Sequence, residues 1–289
     1  MFAFFRSSLM LAVGAIIAVS VSTLPTRAAD ESKALQDRVD KLEKKIKKLE
    51  AKLQYVRVVD DAINGLAGPH VIFEGCNVHV RDGSGHTFNE GKASDAGTGK
   101  ALPVPQKLGN LVVGYNEEPS TDGPGRDGSH NLIVGRGHSY STVGCVVFGE
   151  ENTVSGIASS VTAGILNKAT SDHTSVCGGR QNEASNVAAT VGGGSENTAS
   201  GNFSSVSGGN LNTAFGSSSS VSGGDTNIAF GGSSSVSGGS HGAANGTSSS
   251  VSGGYGNAPT GNYASVSGGL SGAANNQYNW AAGALFQED

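Results

Sequence analysis

Valine returns at every fifteenth residue, at Val146, Val161, Val176, Val191, Val206, Val221, Val236, Val251 and Val266. Three residues later there is always glycine: Gly149, Gly164, Gly179, Gly194, Gly209, Gly224, Gly239, Gly254 and Gly269. Disordered Gly/Ser linkers have no reason to keep such a register, so the count is structural. Six residues after the valine stands asparagine in seven of nine units (Asn152, Asn167, Asn182, Asn197, Asn212, Asn227 and Asn257), with Gly242 and Gly272 in the other two. Eight after it comes Ala169, Ala184, Ala199, Ala214, Ala229, Ala244 or Ala274, with Val154 and Pro259 in the remaining units.

A unit of this size cannot bury its own face, whereas stacked units can. The pattern predicts an all-β solenoid, a parallel β-roll of about nine fifteen-residue coils. Each coil reads as a Val-bearing strand, a turn at Gly-Gly, an Asn/Ala-bearing strand and a second turn near Gly201, Gly216, Gly231, Gly246 or Gly261. Glycine supplies positive φ at the corners, and asparagine tolerates the same region while its amide can stack in a ladder along successive coils. Upstream lie looser versions of the rhythm, "GNLVVGYNE" at 109–117, "HNLIVGRGH" at 130–138 and "GCVVFGEEN" at 144–152. Leu111 and Leu132 read as entry coils with the loop "NEEPSTDGPGRDGSH" inserted, and "HVIFEGCNVHVRDGSG" alternates as two strands and a turn. A core of Val and Ala buries little per coil, which predicts that chains bury a second face against one another.

Residues 31–58 carry a different period. Leu35, Val39, Leu42, Ile46, Leu49, Leu53 and Val56 alternate at spacings of four and three, a heptad seam with Val39, Ile46 and Leu53 at a and the rest at d. Arg38 and Lys45 at g face Glu43 and Glu50 at e of a neighbouring chain only when identical helices run parallel and in register. The seam therefore predicts a parallel homo-oligomer; a single amphipathic helix packed on its own domain is the alternative, and the e/g pairing favours the coiled coil. Branched residues at a with Leu at d lean towards two strands, and the heptads leave dimer and trimer open.

The first thirty residues place one positive charge, Arg6, before an apolar run from Leu9 to Val21, a length that suits a secretory signal and falls short of the ~20 residues of a membrane-spanning helix. Cleavage after Ala28 or Ala29 and retention as an anchor are both open, and either takes the rest out of the cytosol. Cys76, Cys145 and Cys177 are an odd number with no metal-ligand spacing, so a free thiol or an intermolecular bridge remains open and a disulfide framework does not. The domains so read are a signal peptide (1–29), a parallel coiled coil (31–58), connecting β segments with an entry coil (66–131), the repeat head (132–270) and a C-terminal cap (271–289) built around Trp280, Leu285 and Phe286.

Net charge is -5 and no Lys or Arg follows Arg180, so a nucleic-acid partner is not expected. His70, His79, His86, His130, His138, His173 and His241 share no metal-binding spacing and read as loop or surface residues. The serine strings lack a positioned base and an oxyanion site, no Gly-Lys-Ser/Thr occurs, and Asp225 is the only acid from Gly201 to Phe286, which removes a calcium β-roll. No catalytic, cofactor or metal residues are expected. Outward Ser ladders at Ser205, Ser207, Ser220 and Ser222 read as a solvated β-surface rather than an ice-binding face.

On "SSVSGG" with its mid-repeat Asn and Ala, over roughly Leu132 to Gly269, the sequence resembles the head of trimeric autotransporter adhesins of the YadA-like kind. That resemblance implies a left-handed parallel β-roll, a homotrimer, a secreted, periplasmic or cell-surface location, and adhesion to a host or surface ligand. The chain departs from that family in its fifteen-residue repeat, in glycine replacing the second inward aliphatic, and in a coiled coil that precedes the head. "NWAAGALFQED" also carries no membrane-barrel strands, so autotransport is not expected and membrane contact is limited to export. The expected function is a non-catalytic adhesin-like head binding a protein or glycan through loops such as Asn116 to His130. The alternative is a structural fibre or envelope component in which the roll is a rigid spacer.

Overall fold

The computed structural model describes residues 29–82, 107–120 and 125–283. The chain divides into two compact units, Met1–His79 and Val80–Asp289. The apolar run of the expected signal, Leu285 and Phe286 lie outside the described residues.

In the first unit, helix α1 spans 29–53 and is followed by a hairpin of β1 (Val56–Val59) and β2 (His70–Phe73), paired antiparallel from Val56↔Phe73 to Val59↔His70. Leu35, Leu42, Ile46, Leu49 and Leu53 are each more than half exposed in the single chain, and Val39 is 37% exposed. The helix carries the predicted seam from Leu35 to Leu53 along its length, but Val56 is not on it. Three valines in "VRVV" favour extended backbone, and pairing with "HVIF" takes Val56 into β1. The "HVIF" strand thus finds its partner upstream rather than in "NVHV", where no strand forms. Among the described residues no helix is long and apolar enough to cross a membrane.

The second unit is an all-β parallel solenoid of about ten turns at close to fifteen-residue spacing. Its entry is β3 (Leu111–Val113), β4 (Leu132–Arg136), β5 (Ser139–Tyr140) and β6 (Val146–Glu150), followed by β7 (Thr153–Val154), β8 (Ser160–Val161) and β9 (Lys168–Ala169). From there two-residue strands alternate between two sheets, Ser-Val pairs extending a twelve-stranded sheet and Xaa-Ala pairs an eight-stranded one. Every pairing in both sheets is parallel, Val206 lying between Val191 and Val221 and Ala214 between Ala199 and Ala229. A third column of single bridges runs from Glu150 through Ile165, Arg180, Ser195, Asn210, Asp225, Ser240 and Tyr255 to Leu270.

The core is a file of small side chains: Val161, Val176, Val191, Val206 and their successors face Ala169, Ala184, Ala199 and Ala214, all at most 1% exposed. The file opens on Val147, not on Val146. Val147 pairs with Val161 and is fully buried, while Val146 pairs with Ser160 and is only half-buried. The coil from Val147 to Val161 is one residue shorter than its successors, so the fifteen-residue count lands on Val146 instead. Glu150 nevertheless bridges Ile165, fifteen residues on. The extra residue of the later coils therefore lies between the Val strand and the corner glycine, at Ala163, Gly178, Gly193 and Gly208.

The corners also differ from expectation. Gly209 has φ +89°, and a Cβ there would lie 2.3 Å from the Gly224 carbonyl oxygen. The second-turn glycines are required for close approach instead, since a Cβ on Gly216 would lie 2.1 Å from the Gly231 carbonyl oxygen. The remaining left-handed positions fall to non-glycine residues such as Leu211 (φ 54°) and Ser218 (φ 56°). Towards the C-terminal end the described roll adds one more strand, Trp280 pairing with Ser265 and Ala281 with Val266.

Candidate functional surface

The inward residues are committed to the fold. Asn152, Asn167, Asn182, Asn197, Asn212, Asn227 and Asn257 are fully buried, which places them inside the coil rather than at its left-handed corners. Each amide does two jobs. Asn197 Nδ2 donates to the carbonyls of Gly193 (2.8 Å) and Gly209 (2.9 Å), while its Oδ1 accepts the backbone N–H of Asn212 at 2.9 Å. The same set recurs from Asn152 to Asn227, where Oδ1 accepts from Gly242 N–H at 2.8 Å. A buried backbone N–H and two corner carbonyls per coil are thereby satisfied with no water needed.

A second ladder, which the repeat count did not reveal, lines another corner of the entry coils. Asn110 Oδ1 accepts from Asn131 N–H at 2.9 Å, and Asn131 Oδ1 accepts from Cys145 N–H at 2.8 Å. Its signal is the Asn that precedes both "LVVG" and "LIVG". Cys145 takes the next place; its Sγ lies 3.3 Å from the Gly156 carbonyl oxygen, and burial pushes the thiol above its usual value. Cys76 and Cys177 are exposed free thiols. His138, read from sequence as a surface residue, is 1% exposed. Among the described residues no group of three His, Cys, Asp or Glu could hold a metal ion.

The outer surface is where the coils differ. On the Val sheet the outward residues of the entry strands are apolar (Leu132 and Val134, Val146 and Phe148), whereas later coils present serine, as at Ser205 and Ser207. On the Ala sheet Thr213, Ile228 and Ala243 lie in register, and Phe215 and Phe230 immediately follow their strands. The rings of Phe215 and Phe230 stack at 4.9 Å with 4° between planes, each residue 53% exposed. Tyr263 and Tyr278 stack at 5.2 Å, also largely exposed, and His241 packs on Tyr255 at 5.1 Å. These pairs are fifteen residues apart, or fourteen for His241 and Tyr255, so the two stacked pairs were readable from the period. These side chains stand outside a core that the Val and Ala files already complete.

The inserted loop is the other variable region. Arg126 anchors its described part, donating to the Asn116 carbonyl and pairing with Glu118, while Tyr140 Oη donates to Asn116 Oδ1 at 3.3 Å. Glu151 Oε2 accepts Ser120 N–H at 2.8 Å. Beside the entry strands lies a recess lined by Val80, Leu111, His130, Leu132 and Val146, where His130 Nε2 stands 3.7 Å from Asp82.

No protein-family model matches the chain, and no curated protein matches it in sequence.

Proposed function

We propose that the protein is a secreted or surface-displayed, non-catalytic adhesin-like head, a parallel homotrimer whose β-rolls present a protein or glycan ligand with exposed aromatic columns and the Asn116–His130 loop. The observation that carries this reading is the pair of stacked aromatics on a rigid scaffold, Phe215 with Phe230 and Tyr263 with Tyr278. Fully ordered columns of this kind present apolar edges at little further cost in conformational entropy, which favours their use in binding. The exposed α1 seam, with Arg38 and Lys45 placed to meet Glu43 and Glu50 of a second helix, supports parallel self-association. The N-terminal apolar run supports export, and the resemblance of the "SSVSGG" repeat to YadA-like heads supports three chains and an adhesive role.

A binding screen of the purified oligomer against glycans and matrix proteins tests the reading. A ligand whose binding is lost in the Phe215→Ser/Phe230→Ser variant, with the fold retained, is the expected result; a screen without hits contradicts it. Native mass by light scattering is expected at three chains, and a monomer contradicts the oligomer. The second reading, a fibre or envelope spacer, draws on the uniform serine face around Ser205, Ser207, Ser220 and Ser222. An envelope-integrity defect on deletion, together with an empty binding screen, favours that role.

A further inference from the structure

We infer that His138 is a pH-dependent latch joining the fourteen-residue entry coils to the fifteen-residue array, closed when its ring is neutral and opened by protonation. His138 occupies the rung before Asn152 and reproduces both jobs of the ladder amide with an imidazole. Nε2 lies 3.1 Å from the Val134 carbonyl oxygen, four residues back, as each Asn Nδ2 does with its own coil. Nδ1 accepts the backbone N–H of Asn152 at 3.2 Å, the bond that Asn152 Oδ1 then makes with Asn167. These two contacts fix one tautomer, with the proton on Nε2.

An amide cannot titrate, whereas an imidazole does so in the range where extracellular and endosomal fluids vary. A second proton on Nδ1 would point at the Asn152 N–H, leaving a fully buried donor without an acceptor and placing a charge in the core. The ring is 1% exposed and its Nε2 lies beside Gly135, where glycine leaves it the space it occupies. One charged group acts on the ring, Glu151, and the other charges of the neighbouring strands pair with each other. Glu151, in the turn after β6, lies against Gly137 and is held by Ser120 N–H, while Arg136 of β4 and Glu150 of β6 are joined in an ion pair.

Burial lowers the His138 pKa from 6.5, outweighing the carbonyl contacts and the Glu151 charge that favour the imidazolium. A folded-state value below the unfolded one means that the latch contributes fully above pH 6.5 and is lost as pH falls from there through the folded value. The device is independent of what the outer surface binds.

Hydrogen exchange of the full chain, corrected for intrinsic rate and followed from about pH 7.5 to about pH 5, tests it. Exchange at Asn152 N–H is expected to accelerate about tenfold per pH unit below about 6.5, while Asn197 N–H keeps its protection. The His138→Asn variant installs the residue that the next coil already uses, and its Asn152 N–H is expected to stay protected throughout. Wild-type protection that does not change with pH, or the same loss in His138→Asn, overturns the latch. Long-range 1H–15N spectra of the wild-type ring give a readout that needs no variant. A bare Nδ1 whose protonation coincides with the loss at Asn152 is expected; a ring protonated at neutral pH, or one titrating with Asn152 unmoved, overturns the inference.

Discussion

The entry coils and the regular array close the same kind of loop with different parts. In the entry, β4 and β6 run five residues each, pass straight through the corner glycine and pair Gly135 with Gly149. They are apolar on both faces, with Ile133 and Val147 inside and Leu132, Val134, Val146 and Phe148 outside. The array adds one residue before the corner, which cuts the strand to two residues and leaves a lone bridge beyond it. Its outer face turns to serine, and its inner satisfaction passes to a run of identical amides. Shorter strands with small side chains are thus compensated by a file of buried amides, each bonded through both its nitrogen and its oxygen, the condition under which buried amides rigidify a core.

The largest effect expected from breaking this comparison is at the ladder. Asn197→Ala leaves the Gly193 carbonyl and the Asn212 N–H without their amide partner, while the Gly209 carbonyl keeps the Ser195 N–H. A loss of about 3 kcal/mol is expected, read as a lower urea midpoint, because each group left unpaired costs about 1–3 kcal/mol. Next come the two neighbouring glycines. Gly209→Ala is expected to cost about 2–3 kcal/mol through its left-handed φ and the clash with Gly224. Gly208→Ala, where a Cβ meets nothing within 4 Å, is expected to be neutral or stabilising by about 0.4–1 kcal/mol, as Ala163 in the same place suggests. Paired thermal melts that rank these two the other way would refute the placing of the extra residue. The smallest effect is a gain: Gly242→Asn fills the missing rung and is expected to add about 1 kcal/mol, measured by urea denaturation. Asn227 Oδ1 already accepts Gly242 N–H, but a Cβ at 242 would lie 3.0 Å from that oxygen and 3.3 Å from Val251 Cγ1, so the gain requires these neighbours to yield by a few tenths of an ångström.

Much of this was legible from the fifteen-residue count. Val206, Ala214 and Gly209 fall where the period puts them because each has one neighbour above and one below, fixed by the same spacing. The Val146/Val147 slip was not legible, since two adjacent valines satisfy the pattern equally and only pairing with Val161 distinguishes them. Asparagine on the Ala-bearing strand suggested both a tolerance of positive φ and an amide ladder, and the ladder is what forms. Its burial follows from the need to satisfy carbonyls that the turn turns inward, a three-dimensional condition that no single position reveals. His138 was unreadable for the same reason, because its role is inherited from the coil beneath. The aromatic columns are legible, as Phe215 and Phe230 stand one period apart, but they belong to what the coils vary and not to what they share.

The ladder itself is tested most directly by residue-resolved hydrogen exchange along its rungs. The backbone N–H groups of Asn167, Asn182, Asn197, Asn212 and Asn227 each donate to the amide oxygen of the coil before, and they are expected to be among the slowest in the chain. Asn257 follows Gly242, which has no side-chain oxygen to offer, so its N–H is expected to exchange markedly faster and to be slowed in Gly242→Asn. Equal protection at Asn257 and Asn197 in the wild-type chain would contradict the claim that the amides hold the coils together.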